Sequence, residues 1–417
     1  MQSRSSAAVG IAAIATALVL TGCSTTPTVD DGRETLTVAI DSPALLATAI
    51  SEFEKANPDI HVELLPIGSS GYNSVIQTQL ASGTAPDVFM VFPGIGEPLM
   101  NGTLYERGLI QPLEGDWIAD IPADMLQLFE EPDGAISAVP GTTAAIGITW
   151  NDAVLEDLGA VPATTISEVF ALCDTARAAG LSLFSVPAKD QWANQILTWA
   201  LSVQLVYANE PDFNAQLASG DATFADSAWV DVFELNKKLV DAGCFTDGPT
   251  GTGFGDARKL LADGLVAATV NYGPSADLYA EAPEGSTFTF THFPATDDPT
   301  NVTMPIAASK GFSIWEGTTK QELAQKFIDF MATDAGQTAF ANDSALVPTL
   351  PAPSFKATQA SQLTLDDMAA GEGRTFPHLD WIQGETALTV FVEVQNLFLG
   401  TITPLELTQK LDTAYQG

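Results

Sequence analysis

Apolar and β-branched residues alternate over residues 35–40 (TLTVAI), the period-two signature of a strand. Ser42 and Pro43 form a pair suited to opening a helix. Leu45, Leu46, Ala49, Ile50 and Phe53 then fall on one apolar stripe at helical spacing. Residues 61–67 repeat the strand pattern, residues 71–82 read as a helix stopped by Gly83, and residues 87–92 follow Pro86 as a third strand. A βαβαβ alternation of this kind predicts a parallel sheet with helices on its faces.

The middle of the chain keeps the α/β character. Residues 145–150 read as a strand, and Asn151 caps a short helix that Gly159 ends. Thr165 and Glu168 form a capping box for a helix that Gly180 ends. Residues 187–199 are Trp-rich and partly helical, Asp226 caps a helix carrying Trp229, Phe233 and Val240, and residues 266–270 form another strand. Thr319 and Glu322 make a second capping box ahead of Leu323, Phe327, Phe330 and Met331, and helices near 385–399 and 404–415 finish the chain. No internal repeat is present.

The first 22 residues follow a different logic. Arg4 precedes an uncharged, mainly apolar stretch from Ser5 to Leu20, and small residues then lead to Cys23. A positive start, a short apolar core and a small-residue junction make a secretory signal rather than a membrane span. The junction Leu20-Thr21-Gly22-Cys23 resembles a bacterial lipobox, which implies cleavage before Cys23 and a lipid on its thiol. Two acyl chains would hold the protein at the membrane surface. Residues 23–34, polar and Thr-rich, read as a disordered tether.

Composition then limits the function classes. Removing the leader leaves about 395 residues, enough for two or three domains. Asp and Glu number 52 against 16 Lys and Arg, a net charge of −36, which repels nucleic acid and anionic headgroups and suits a solvated exterior. The same charge admits a cationic ligand such as a polyamine. With Cys23 lipidated, Cys173 and Cys244 remain as an even pair in an oxidising compartment, either bridged or as two buried thiols.

Catalytic signatures are sparse. His61, His292 and His378 stand far apart without an HExxH motif, no GxSxG elbow occurs, and Gly251–Gly255 (GTGFG) reads as a flexible turn rather than a phosphate loop. Asp297-Asp298 lacks calcium-loop periodicity and reads as a turn cap. Neither a metal nor a cofactor is expected. Present instead are aromatics beside turn residues at strand ends: Trp150, Trp192, Tyr272, Trp315 and Trp381. Trp192 near Asp190, and Asp380-Trp381, offer a flat apolar face beside a hydrogen-bond acceptor, which is the pairing that a sugar ring requires.

From Thr35 to about Thr349 the chain resembles the sugar-binding, maltose-binding-protein-like family of extracellular solute-binding proteins that serve ABC importers. The matching segments stand in family order: TLTVAIDSP from Thr35, ASGTAPDVFMV (81–91), DGAISAVP…ITWND (133–152), TISEVFALCDTARAAGLSLFSVPAKDQW (165–192), DGLVAATVNYGP (263–274), FPATDDP (293–299), KGFSIWEGTTKQELAQKFIDFMAT (310–333) and SALVP (344–348). The resemblance implies an α/β, two-lobe periplasmic-binding-protein-like fold with discontinuous lobes and a ligand cleft between them. It places residues 35–142 plus 273–309 in lobe 1 and 143–272 plus 310–417 in lobe 2, with crossings near 141–146, 270–273 and 308–313. Position by position it implies ligand contacts at Asp41, Ser42, Asp87, Phe92, Thr142, Thr143, Asp190, Trp192, Asn271, Tyr272, Lys310 and Gly311. Trp150 and Trp381 join them as candidate aromatics. Where the family commonly has Tyr-Asn this chain has Trp150-Asn151, and Tyr272 stands in place of a Trp.

The expected function is therefore capture of a mono- or oligosaccharide by lobe closure and its delivery to permease subunits of an ABC transporter. The protein is expected to be a non-catalytic monomer, exported and anchored through Cys23. The rival readings are a receptor for a non-sugar solute, a cell-surface glycosidase and a structural adhesin.

Overall fold

The computed structural model describes residues 32–68, 71–301 and 303–417. The leader, Cys23 and residues 23–31 of the tether lie outside the described residues. The alternating segments pair as their pattern predicts: β1 (Glu34–Ala39) lies parallel between β2 (Ile60–Leu64) and β3 (Val88–Val91). The tether is shorter than expected, because Arg33 already bonds Glu54 and Glu34 opens β1.

Chain order beyond β3 is β4 (Val139–Ala145), β5 (Gly147–Asn151), β6 (Ser182–Ser185), β7 (Val266–Asn271), β8 (Phe288–Thr291), β9 (Met304–Ile314), β10 (Val347–Pro348) and β11 (Gly373–Arg374). Two sheets result. The first has the order β10-β4-β9-β3-β1-β2 with β11 attached to β9, and the second has the order β6-β7-β5-β8. Helices cover both sheets, as open α/β sheets with buried faces require. The architecture is a bilobed α/β periplasmic-binding-protein-like fold with discontinuous lobes and a cleft between them.

Sheet membership moves the lobe boundaries from their expected positions. β9 is antiparallel to both β3 and β4, so it belongs to lobe 1 and the chain does not cross at 308–313. After β7 the chain turns back through the Ala276–Glu281 helix into β8, which pairs with β5 in the second sheet. Residues 273–291 therefore stay in lobe 2, and no crossing occurs at 270–273. The chain passes between lobes at Ile146, through residues 292–303, and again between β10 and residue 376. Only the first of these passages lies where the resemblance placed it.

Local signals fare better. Thr165 and Glu168 form the capping box of the Ile166–Ala178 helix, and the Asn151 side chain accepts from Val154 N–H. Thr319 and Glu322 do not cap: the Gln321–Met331 helix starts after Lys320 without a side-chain cap. Asp226 does not cap either, since the Trp229–Asp241 helix begins after Ala228. Cys173 and Cys244 are disulfide-bonded across 71 positions, with Cα atoms 4.9 Å apart, within lobe 2.

Candidate functional site

The cleft edge of lobe 1 is set by register. Ala39 pairs with Phe89 and Gly311 with Val91, which brings Asp41, Phe92 and Lys310 to one level just past the carboxyl ends of β1 and β3. Ligands of open α/β sheets bind at such ends. Lys310 Nζ lies 2.5 Å from Asp41 Oδ2, 3.5 Å from Met90 Sδ and 5.8 Å from the centre of the Phe92 ring. Beneath them the buried Tyr72 donates to Met90 O at 2.7 Å; burial, then the nearby Asp41 carboxylate, pushes its hydroxyl pKa well up. Ser42, partly buried, starts the Pro43–Leu46 turn, but its side chain makes no cap.

The corresponding edge of lobe 2 gathers the segment after β6 and the end of β7. β6 and β7 run parallel, so Asp190 and Trp192 leave the same end of the sheet as Asn271 and Tyr272. Trp192 is 44% exposed, and its ring centre is 5.1 Å from that of Phe254. Asp190 Oδ2 accepts the Phe254 backbone N–H at 2.7 Å, which fixes the amino end of the Phe254–Ala262 helix beside Trp192. Sequence reasoning missed Phe254, because its glycine-flanked segment reads as a turn whereas it opens a helix. Asn271 Oδ1 accepts from Thr149 Oγ1 at 2.6 Å and from Gly273 N–H at 3.0 Å. Tyr272 packs against Phe376 with ring centres 6.4 Å apart, and burial raises its pKa.

Several expected site residues lie elsewhere. Asp87 precedes β3 and therefore sits at the amino end of the sheet, away from the cleft. There it accepts from Thr37 N and Oγ1, Thr318 Oγ1 and Lys320 Nζ. Burial alone would raise its pKa, but the hydrogen bonds from Thr318 and Thr37, with the Lys320 charge, outweigh that and hold it low. Trp315 is at the same far end, its N–H bonded to Asp87 O. Trp150 is fully buried against Phe184, its indole N–H bonded to Thr291. Trp381 is 1% exposed among Trp199, Trp229 and Phe224, and donates to Asn214 Oδ1. Thr142 pairs with Lys310 in the β4–β9 ladder and so stays at the lobe 1 edge, but it is buried there, as is Thr143, which meets Thr349 at 3.0 Å. Gly311 is buried where β9 passes β4, and a β-carbon there would press on Val139 O.

The structure thus brings together Asp41, Ser42, Phe92 and Lys310 on one lobe and Asp190, Trp192, Asn271 and Tyr272 on the other. It leaves Asp87, Trp150 and Trp381 away from that set, and Thr142, Thr143 and Gly311 buried in the strands beside Lys310. The assembled set pairs flat rings with amide, carboxylate and ammonium groups, which suits binding of a polar solute that has apolar faces.

Comparison with known proteins supports that reading of the architecture. A melibiose/raffinose/stachyose-binding protein of Bacillus subtilis (strain 168) is 26% identical over 157 residues, 36% of this chain and 35% of that relative. The aligned part thus spans about a third of the relative's length. Among solved structures, a chitin oligosaccharide binding protein superposes with a TM-score of 0.76 at 20% identity, covering 92% of this chain and 98% of that one. A sugar transporter from Bacillus licheniformis in complex with stachyose gives 0.73 at 17% identity, covering 91% and 98%. These are likenesses of fold. The model of one family, described as bacterial extracellular solute-binding protein, matches residues 48–362, well over half of the chain. The chain therefore belongs to the bacterial extracellular solute-binding proteins, whose work is to bind a solute and not to transform it.

Proposed function

We propose that this protein captures a mono- or oligosaccharide between its lobes and delivers it to the permease of an ABC importer, tethered as a monomer by a lipid on Cys23. The observation that carries the reading is the half-exposed Trp192, set against Phe254 and beside Asp190. A sugar ring can lay its C–H face on the indole while its hydroxyls reach Asp190 and Asn271. From lobe 1 Lys310 and Asp41 complete the polar contacts. The sugar ligands named for the relatives point the same way.

No bond is broken in this mechanism. A ligand that touches both lobes has more contacts in the closed arrangement than in the open one, so it shifts the population toward closure. The permease then reads the closed form. A dissociation constant near micromolar, about 8 kcal/mol, leaves release feasible. Asp41 is already paired with Lys310, so the lobe 1 edge does not favour a cationic solute.

A thermal-shift screen of the mature chain against raffinose, stachyose, chitin oligosaccharides, xylo-oligosaccharides and spermidine tests the reading. A sugar that binds the native state at 100 times its dissociation constant adds about 2.7 kcal/mol of stability. A rise with one sugar class is expected. A rise with spermidine alone would contradict it.

A further inference from the structure

Away from the residues assigned to ligand, the two lobes meet backbone to backbone. Ile95 N–H, in the loop after β3, donates to Leu379 O in lobe 2 at 3.0 Å. Three glycines line this seam. A β-carbon on Gly94 would strike Leu379 O, one on Gly96 would strike Trp381 O, and one on Gly384 would strike Gly96 O and C, every contact closer than 3 Å. Each struck atom belongs to the opposite lobe.

Gly384 is the most informative of the three. Gly94 and Gly96 have φ of 101° and 108°, which independently favours glycine, whereas Gly384 does not occupy the left-handed region. It opens the Gly384–Phe398 helix, where alanine costs nothing locally. Among the described residues, the atoms closest to its missing β-carbon are those of Gly96 and Glu97, across the seam.

Neither wall can yield easily. Behind the lobe 1 loop, Asn101 accepts from Gly94 N–H and donates to Leu128 O and Ser137 Oγ. Behind the lobe 2 segment, Trp381 is wedged among Trp199, Trp229 and Phe224, and His378 stacks on Trp199 with ring centres 5.2 Å apart. A methyl introduced between two anchored backbones moves the bodies that carry them.

We infer that Gly384 and Gly96 are positioning residues that set the angle between the lobes: their bare backbones dock as a seam, and a side chain at either position wedges the lobes apart. The inference rests on the bilobed architecture and not on the identity of the ligand.

The test compares the mature wild-type chain with Gly384→Ala, and with Gly68→Ala as a control whose added methyl meets nothing within 4 Å among the described residues. Hydrogen exchange of the peptide containing Ile95 and small-angle scattering are read without ligand. Gly384→Ala should fold with a wild-type circular dichroism spectrum, exchange the Ile95 amide about tenfold faster or more, and show a larger radius of gyration. Gly68→Ala should change neither. A folded Gly384→Ala with wild-type exchange and scattering would overturn the inference. Failure of Gly384→Ala to fold would also overturn it, because a methyl that only separates two packed lobes leaves both cores intact.

Discussion

Lys310 Nζ lies 2.5 Å from Asp41 Oδ2, although 269 positions separate the two residues. The side chains are only 14% and 19% exposed, so replacing the ammonium by an apolar group takes a charge-assisted partner from a largely buried carboxylate.

Lys310→Met is accordingly expected to destabilise the folded chain by about 3 kcal/mol. The double variant Asp41→Asn, Lys310→Met should recover much of that loss. Urea unfolding of the four proteins in the cycle gives the coupling energy directly. Additive losses would mean that the pair contributes nothing as a pair.

Glu97 and His378 face each other across the lobes with Oε1 and Nε2 3.9 Å apart. Burial pushes the Glu97 pKa up to about 7 and the His378 pKa down to about 3, so both groups are neutral over much of the acidic range. A carboxyl with a raised folded pKa contributes its full stability below its unfolded value of 4.5 and loses it as pH rises through 7. The histidine acts in the opposite sense, losing stability as pH falls from 6.5 toward 3. Glu97→Gln should therefore match the wild type near pH 4.5 and exceed it at pH 8, by up to about 3 kcal/mol. Melting curves at pH 4.5, 6 and 8 check this. A variant less stable than the wild type at pH 8 would show a working ion pair instead.

The Cys173–Cys244 bridge closes a loop of 71 positions, and Arg177 also reaches Ala242 O at 2.6 Å. In the chain-entropy model, replacing both cysteines by serine costs about 4 kcal/mol. Denaturant midpoints of the two proteins measure it. A difference below about 1 kcal/mol would mean that the reduced chain is equally constrained by other contacts.

Residue pattern made lobe 1 legible where side chains alternate against a buried sheet, as in β1, β2 and β3. It failed at β9, whose run from Met304 to Ile314 carries no sign of which sheet it joins; pairing with β3 and β4 decides that. Asp87 was misplaced by the length of one strand, because adjacency to a strand does not say which end meets the cleft. Trp381 was misjudged on its polar neighbour Asp380: it turns inward to rings supplied by three other segments, and no local pattern encodes that cluster. The exposed placing of Trp192 was legible because its segment follows a strand end with Asp190 two positions before it. Its partner Phe254 was not, since only the fold brings residues 192 and 254 together.

Stacking of a sugar on Trp192 is tested by titration calorimetry of Trp192→Ala, using the sugar that raises the melting temperature most. The variant should keep the apo melting temperature within a degree or so of the wild type, since nearly half of the indole is already in solvent. Its affinity should fall by roughly 30- to 1,000-fold, the loss of an aromatic anchor worth about 2–4 kcal/mol. Trp381→Ala, by contrast, should lower the apo melting temperature sharply, as about 3–5 kcal/mol of core packing is lost. Wild-type sugar affinity in Trp192→Ala would remove the indole from the binding site.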